Sequence, residues 1–255
     1  WEGSSGRALN KGGLGRHIGD QLDTPRDSGA VRQRLHARGN ASHLFALHRG
    51  EHCFMGATPE RLLSCQEGRL TTHALAGSAR RGTTADEDHV IGERLLADPK
   101  EQHEHRLVVQ TITQALDGKV RDLQAASSPH LLKLANVQHL STPIMAQLNP
   151  DKRLLDGIHA LHPTPAVGGL PSATAMDFIR RHEGFDRGWY AAPVGWLDSQ
   201  GNGDFLVALR SALMTPRHCH LFAGCGIVEG SQSAGEYEET QIKLASMEQA
   251  LLLSP

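Results

Sequence analysis

Three glutamates stand where a helix would turn them toward apolar neighbours: Glu104 in HEHRLVVQTITQAL, and Glu236 and Glu239 in GEYEETQIKLASMEQAL. At about 100° per residue, Glu104 shares a face with Leu107, Val108, Thr111 and Ala115. Glu236, Glu239 and Lys243 form an i, i+3, i+7 stripe beside Leu244, Met247 and Leu251. A carboxylate turned toward a core is costly unless it is paired or bound to a cation. The pattern therefore predicts an acidic metal site assembled from two distant helices. Its all-oxygen donors suit a hard cation, Mg²⁺ before Zn²⁺. A solvated Glu/Lys stripe is the plainer reading, but Glu238 and Gln241 already occupy the more exposed side of the last helix. His103-Glu104-His105 is not a zinc grip, because histidines two apart on a helix diverge by about 200°.

Other residues suggest proton transfer and anion binding. Glu60 follows a strand in GATPERLL, where apolar surroundings would raise its pKa and let it donate a proton. Taken alone it would read as an ordinary turn glutamate. LAGSARRG (75–82) and FAGCGIV (222–228) carry small residues where backbone N–H groups could approach an anion, although each alone reads as a tight turn. Arg210, on the Leu206 and Ala208 face of an apolar strand, wants a carboxylate that a substrate could supply.

The elements that must hold these residues alternate between short strands and helices. HLFALH and HCFMGA predict a hairpin, and RLLSCQEGRLTTHALA predicts a second turning at Gln66-Glu67-Gly68. Thr84 with Glu87 makes a capping box for a helix to about Leu96, and Asp98-Pro99 separates it from the Glu104 helix. Residues 121–135 give no clear pattern. LHPTPAVGGLP is a loop before a helix in PSATAMDFIRRHE, and APVGWLD and DFLVALRSAL flank SQGNG as a hairpin. HCHLFAGCGIV is a further strand, and the last helix opens near Glu236. A net charge of −2 over 255 residues gives no basic footprint for nucleic acid. No apolar run approaches the roughly eighteen residues of a membrane span, and the start WEGSSGRALNK has no secretory apolar region. The four cysteines lack CxxC spacing, which fits reduced thiols and a cytoplasmic setting.

Read together, the strings GATPERLL, LAGSARRG, KEQHEHRLVV, VQHLSTP, LHPTPAVGGLP, DRGWYAAPVGWLD, GDFLVALRSAL, LFAGCGIV and EYEETQIK resemble the chorismate-binding family. They run in family order from residue 11 to about 245. HPTPA, GWYAAPVGW and FAGCGIV look most like isochorismate synthases, especially the menaquinone type. The resemblance implies an α+β fold of the anthranilate synthase component I kind, with antiparallel-rich sheets and helices around a central site. It implies one catalytic domain over 1–255, without the N-terminal segment that full-length relatives carry. The implied reaction is Mg²⁺-dependent, adding water to chorismate at C2 with loss of the C4 hydroxyl, and no obligatory protein partner is expected.

Carried over by motif, Glu60 is the general acid, and Glu104 and Glu239 hold Mg²⁺ with Glu236 nearby. Tyr190, Arg210, Gly224, Gly226 and Lys243 orient substrate carboxylates. Gly77 and Ser78 line the pocket and His139 sits beside the substrate. Lys11 in LNKGGLGR aligns with the family's basic lysine. Gly12 and Gly13 replace β-branched residues there, which would weaken a strand by about 0.5–1 kcal/mol per glycine. Ala166 in HPTPA stands where salicylate-forming and ammonia-using relatives tend to place a hydroxyl residue, so it favours stopping at isochorismate. The alternatives are a salicylate synthase, a siderophore-pathway isochorismate synthase, and an inactive fragment that binds chorismate and Mg²⁺.

Overall fold

The structure, a computed structural model, describes residues 9–37 and 42–252; the polar start, residues 1–8, lies outside the described residues. Strands pair antiparallel and form two sheets. The six-stranded sheet runs β2 (His43–Arg49), β3 (His52–Thr58), β12 (Ser211–Met214), β13 (His218–Val228), β1 (Lys11–Gln21) and β9 (Gly169–Leu170). The seven-stranded sheet runs β10 (Pro193–Leu197), β11 (Gly203–Val207), β4 (Arg61–Gln66), β5 (Arg69–Arg80), β8 (Val137–Leu148) and β6 (Val120–Ala125), with β7 (His130–Lys133) also on β8. Helices α1 (Ser28–His36), α2 (Ala85–Ala97), α3 (Pro99–Leu116), α4 (Leu154–Leu161), α5 (Ser172–His182) and α6 (Ser233–Leu252) pack around them. The architecture is α+β and rich in antiparallel pairing, as expected.

Alternation along β3 explains the layers. Cys53, Met55 and Ala57 join a core with Val31 and Leu35 of α1 and Leu244 and Met247 of α6. Phe54, on the other face, joins a separate core with Leu62, Leu63 and Leu70 and with Val108, Ile112 and Leu116 of α3. Helix α3 starts where Asp98 accepts hydrogen bonds from the N–H groups of Lys100 and Glu101, and Pro99 follows the cap. Its buried face carries Glu104, His105, Val108, Ile112 and Leu116, so Glu104 does point inward. At α2, Thr84 caps Glu87 N–H at 3.2 Å, while the Glu87 carboxylate returns to Thr83 and not to Thr84.

Two of the passages between the sheets form adjacent corners. β3 passes to β4 through Pro59-Glu60, and β11 passes to β12 through Ala208–Arg210. The corners are stitched together by Val207 N–H to Glu60 O at 3.0 Å and Ala57 N–H to Arg210 O at 3.2 Å. This corrects the reading of DFLVALRSAL as one strand with Arg210 on the Leu206 and Ala208 face. One straight strand cannot serve both sheets, so the chain bends, and Arg210 takes a left-handed φ of 48°. LAGSARRG and FAGCGIV are likewise not tight turns. The first continues β5, with a bulge between Ala76 and Ser78 where Gly77 has φ 80°, and the second lies in β13. The last helix opens at Ser233, ahead of the expected start.

Candidate active site

The two corners, the start of β1, the β5 bulge, the end of β13, and helices α3 and α6 line one cavity. Lys11, Glu60, Gly77, Ser78, Glu104, His139, Ala166, Tyr190, Arg210, Gly224, Gly226, Glu239 and Lys243 all contribute to its wall. Glu236 stands one turn before Glu239 on α6, buried, and meets Lys100 at 3.2 Å.

Lys11 enters from β1. Its side chain is 1% exposed, and Nζ donates to Glu104 Oε1 at 2.6 Å. Gly226 is what lets this pair cross β13. A Cβ there would come within 2.8 Å of Glu104 Oε1 and 2.9 Å of Lys11 Cε. Gly224 similarly makes room for Tyr190, whose hydroxyl would lie 2.7 Å from an added Cβ. Gly13, two residues after Lys11, has a comparable cause. A Cβ on Gly13 would meet the Val167 carbonyl at 2.6 Å, and one on Gly169 would lie 2.9 Å from the Gly12 Cα. The glycine-containing β1 is a full strand paired to β13 from Lys11 to Gln21. Gly13 meets a packing requirement.

Glu60 is buried at its corner. Burial pushes its pKa up to about 7, against a lowering by the Thr164 hydroxyl, which donates to it at 3.1 Å, and by Lys11 and Lys243. A carboxyl near this value holds and releases a proton around neutral pH. Arg210 is equally buried. Burial lowers it to about 10, opposed by Glu239, so it remains cationic. Its Nη2 donates to His139 Nε2 at 2.6 Å, which leaves the ring proton on Nδ1, beside Ser78 Oγ at 2.9 Å and Gly77 O at 3.3 Å. Burial, then Arg210 and Lys243, hold His139 well below the ordinary imidazole value, so it is neutral.

On α6, Lys243 bonds Glu239 and donates to Gly224 O at 3.1 Å. Burial would raise Glu239, but Lys243, Ser78 and Lys100 outweigh it and the carboxyl is lowered. Burial raises the Tyr190 phenol well above its ordinary value, and the ring stacks on Phe222 at 5.4 Å.

Sequence reasoning missed several neighbours. Glu101, one turn before Glu104, accepts from Ser78 N–H at 3.0 Å and is raised by burial and by Glu104. Its i−3 spacing from Glu104 was the available signal. Lys100 bridges Glu101 and Glu236; burial would lower it, but the two carboxylates raise it to about 12. Thr164 sits in the quoted HPTPA string and Arg187 in DRGWYAAPVGWLD, yet neither declared a role. His105 is structural, bonded to Thr142 Oγ1 at 2.7 Å and near Ala76 O at 3.2 Å. Among the described residues no helix is long and apolar enough to cross a membrane, and the four cysteines are buried and unpaired.

A family model described as "Chorismate binding enzyme" matches residues 5–252. The salicylate biosynthesis isochorismate synthase of Pseudomonas aeruginosa is 53% identical over 221 residues, covering 87% of this chain and 46% of that protein. Isochorismate synthase MenF of Bacillus subtilis is 44% identical over 238 residues, covering 93% of this chain and 50% of that protein. The solved structure of MenF, the menaquinone-specific isochorismate synthase from Escherichia coli, matches with a TM-score of 0.91 at 35% identity, covering 98% of this chain and 58% of that one. The chain spans about half the length of the curated relatives it matches.

Proposed function

The chain belongs to the chorismate-binding enzyme family, and from that premise we propose that it converts chorismate to isochorismate with Mg²⁺. The observation that carries the proposal is the meeting in one cavity of Lys11 with a Glu60 that burial holds protonated near neutral pH. Lys11, in its free amine form, takes a proton from water as the oxygen bonds to C2, both ring double bonds shift, and the C4 hydroxyl departs with the Glu60 proton. One water enters and one leaves, so the net change is an isomerisation.

Charge supports the same substrate. With Glu60 protonated, Lys11 and Lys243 meet Glu104 and Glu239, Arg187 is matched by Glu183, and Arg210, bonded to neutral His139, adds a further positive charge to the cavity. That excess of positive charge suits a dianion. Arg210 offers a fork to one carboxylate, and Lys243 and Tyr190 stand ready to orient the other. Gly224 and Gly226 leave their backbone open to it, Gly77 and Ser78 shape the wall, and neutral His139 sits beside the ring.

The donor chemistry fits Mg²⁺. Glu104, Glu236 and Glu239 present only carboxylate oxygens, and Lys11, Lys100 and Lys243 now meet them as positive groups. Among the described residues no three ligating side chains converge closely enough to enclose an ion, so these lysine contacts would be exchanged on loading. When bound, the metal would neutralise and polarise the ring carboxylate. Glu104 and Glu239 would hold it, with Glu236 nearby.

The test is to incubate the chain with chorismate, with and without Mg²⁺ and without ammonia, and to separate the products. Mg²⁺-dependent isochorismate is expected. Salicylate as the main product would mark a lyase and defeat the Ala166 argument. Mg²⁺-dependent chorismate binding without any product would mark an inactive binding form. GWYAAPVGW and FAGCGIV favour menaquinone as the pathway. The Escherichia coli and Pseudomonas aeruginosa relatives, named for different pathways, share isochorismate as product.

A further inference from the structure

We propose that Arg187 is a positioning residue: with Glu183 it splints the strand carrying Lys11 to the loop whose Thr164 holds Glu60. Resting on the reading above, it assigns a device that sets the distance between base and acid. Backbone pairing between β1 and β9 covers only Lys11 with Leu170 and Gly12 with Gly169. At Gly13 the backbone presses on Val167, where an added Cβ would lie 2.6 Å from the Val167 carbonyl carbon and oxygen. The Gly13 and Val167 carbonyl oxygens both lie within reach of one guanidinium, and neither can donate to the other.

The guanidinium of Arg187 supplies the donors. Nη2 donates to Gly13 O at 2.8 Å and Nη1 to Val167 O at 2.9 Å. Glu183, its side chain 3% exposed, accepts from Nε at 2.8 Å and from Nη2, and its Oε1 takes Gly15 N–H at 2.5 Å. One arginine–glutamate pair thus satisfies three backbone groups on the edge of β1 and its neighbouring loop. The planar fork fixes the separation of the two carbonyls, which a single lysine ammonium could not do. Gly13 is two residues from Lys11, and Val167 is three residues from Thr164, the donor to Glu60. A splint across Gly13 and Val167 therefore ties both reacting groups to one rigid plane.

A cap that merely protected an open strand edge would alter stability alone. The test compares the chain with Arg187→Lys and Glu183→Gln in two measurements: chorismate turnover with Mg²⁺, and backbone amide exchange by mass spectrometry. In both variants kcat is expected to fall roughly 10²-fold with KM within about threefold. Amide exchange should quicken in 9–15 and in 164–170 together, but not in β3. A raised KM at unchanged kcat would make Arg187 a substrate contact and overturn the proposal. Unchanged kcat with a lower melting temperature would reduce it to an edge cap. If the unaltered chain forms no isochorismate, the functional reading fails on its own, and exchange decides the splint: linked quickening of both segments upholds it, and an unchanged 164–170 overturns it.

Discussion

At the two adjacent corners where β3 passes to β4 and β11 passes to β12, Glu60 and Arg210 are buried to similar depth, 7% and 9% exposed. Each reaches a polar side chain: Glu60 accepts from Thr164, and Arg210 donates to His139. Burial penalises the charged form of both, but the outcomes differ because their ordinary pKa values lie on opposite sides of neutrality. The carboxyl rises to about 7 and becomes a proton donor in the physiological range, whereas the guanidinium falls only to about 10 and keeps its charge. Adjacent corners of one fold thus supply an acid that can discharge and a cation that cannot. That asymmetry is what acid-assisted loss of a hydroxyl from a dianion requires.

The hardest blow to this contrast falls on the acid. Glu60→Gln keeps the shape and removes the proton, and kcat should fall roughly 10³-fold. Stability should move the other way at alkaline pH. The folded state holds the Glu60 proton up to about pH 7, while the unfolded state releases it near 4.5. Wild-type stability therefore falls as pH rises from about 4.5 to 7 and stays lowered above. Glu60→Gln escapes that loss and should be more stable at pH 8 by on the order of 3 kcal/mol, with no gain at pH 4. Urea denaturation at the two pH values checks the sign; equal stability at pH 8 would mean that Glu60 is not held protonated.

The cationic corner should respond through binding. Arg210→Gln removes a charge-assisted fork, and KM for chorismate should rise roughly 10²-fold while kcat changes less than about tenfold. A fall in kcat at unchanged KM would place Arg210 in the chemistry and erase the division of labour between the corners. A smaller effect is expected at Gly226→Ala. Its added Cβ meets only the far ends of Lys11 and Glu104, which can shift without disturbing the backbone. Activity should fall roughly tenfold, with the melting temperature lowered by less than about 4 °C. Equal losses of activity and fold would show that the position matters for packing alone.

Much of this was legible in the sequence where the cause is local. The hairpins at 43–58 and 61–80, the Thr84 cap and the inward Glu104 all follow from alternation, capping and helical period. What the sequence hid has causes that arrive from distant residues. Gly13, Gly224 and Gly226 look like flexible or turn-forming positions, but each makes room for a group far along the chain. Arg210 looks like an inward strand residue because its neighbours alternate correctly, and only the two-sheet topology forces the corner. Thr164 and Arg187 could not be assigned because their partners, Glu60 and the Gly13 and Val167 carbonyls, are brought to them by folding.

The gentlest test of the corner contrast tunes the acid without removing it. The Thr164 hydroxyl donates to Glu60 at 3.1 Å, which favours the charged carboxylate and lowers its pKa against the larger effect of burial. In Thr164→Val the donor is lost while size and burial stay nearly the same, so Glu60 must hold its proton to higher pH. Because the protonated carboxyl is the working form, kcat/KM in the wild type should decline above about pH 7. In the variant that decline should begin at higher pH than in the wild type, on a plateau lowered by less than about tenfold because Thr164 no longer holds the carboxyl in place. Thr164→Ser, which keeps the hydroxyl, should follow the wild-type profile. A decline that stays in place in Thr164→Val, or moves to lower pH, would mean that another group sets the limb, and Glu60 would lose its assignment as the acid.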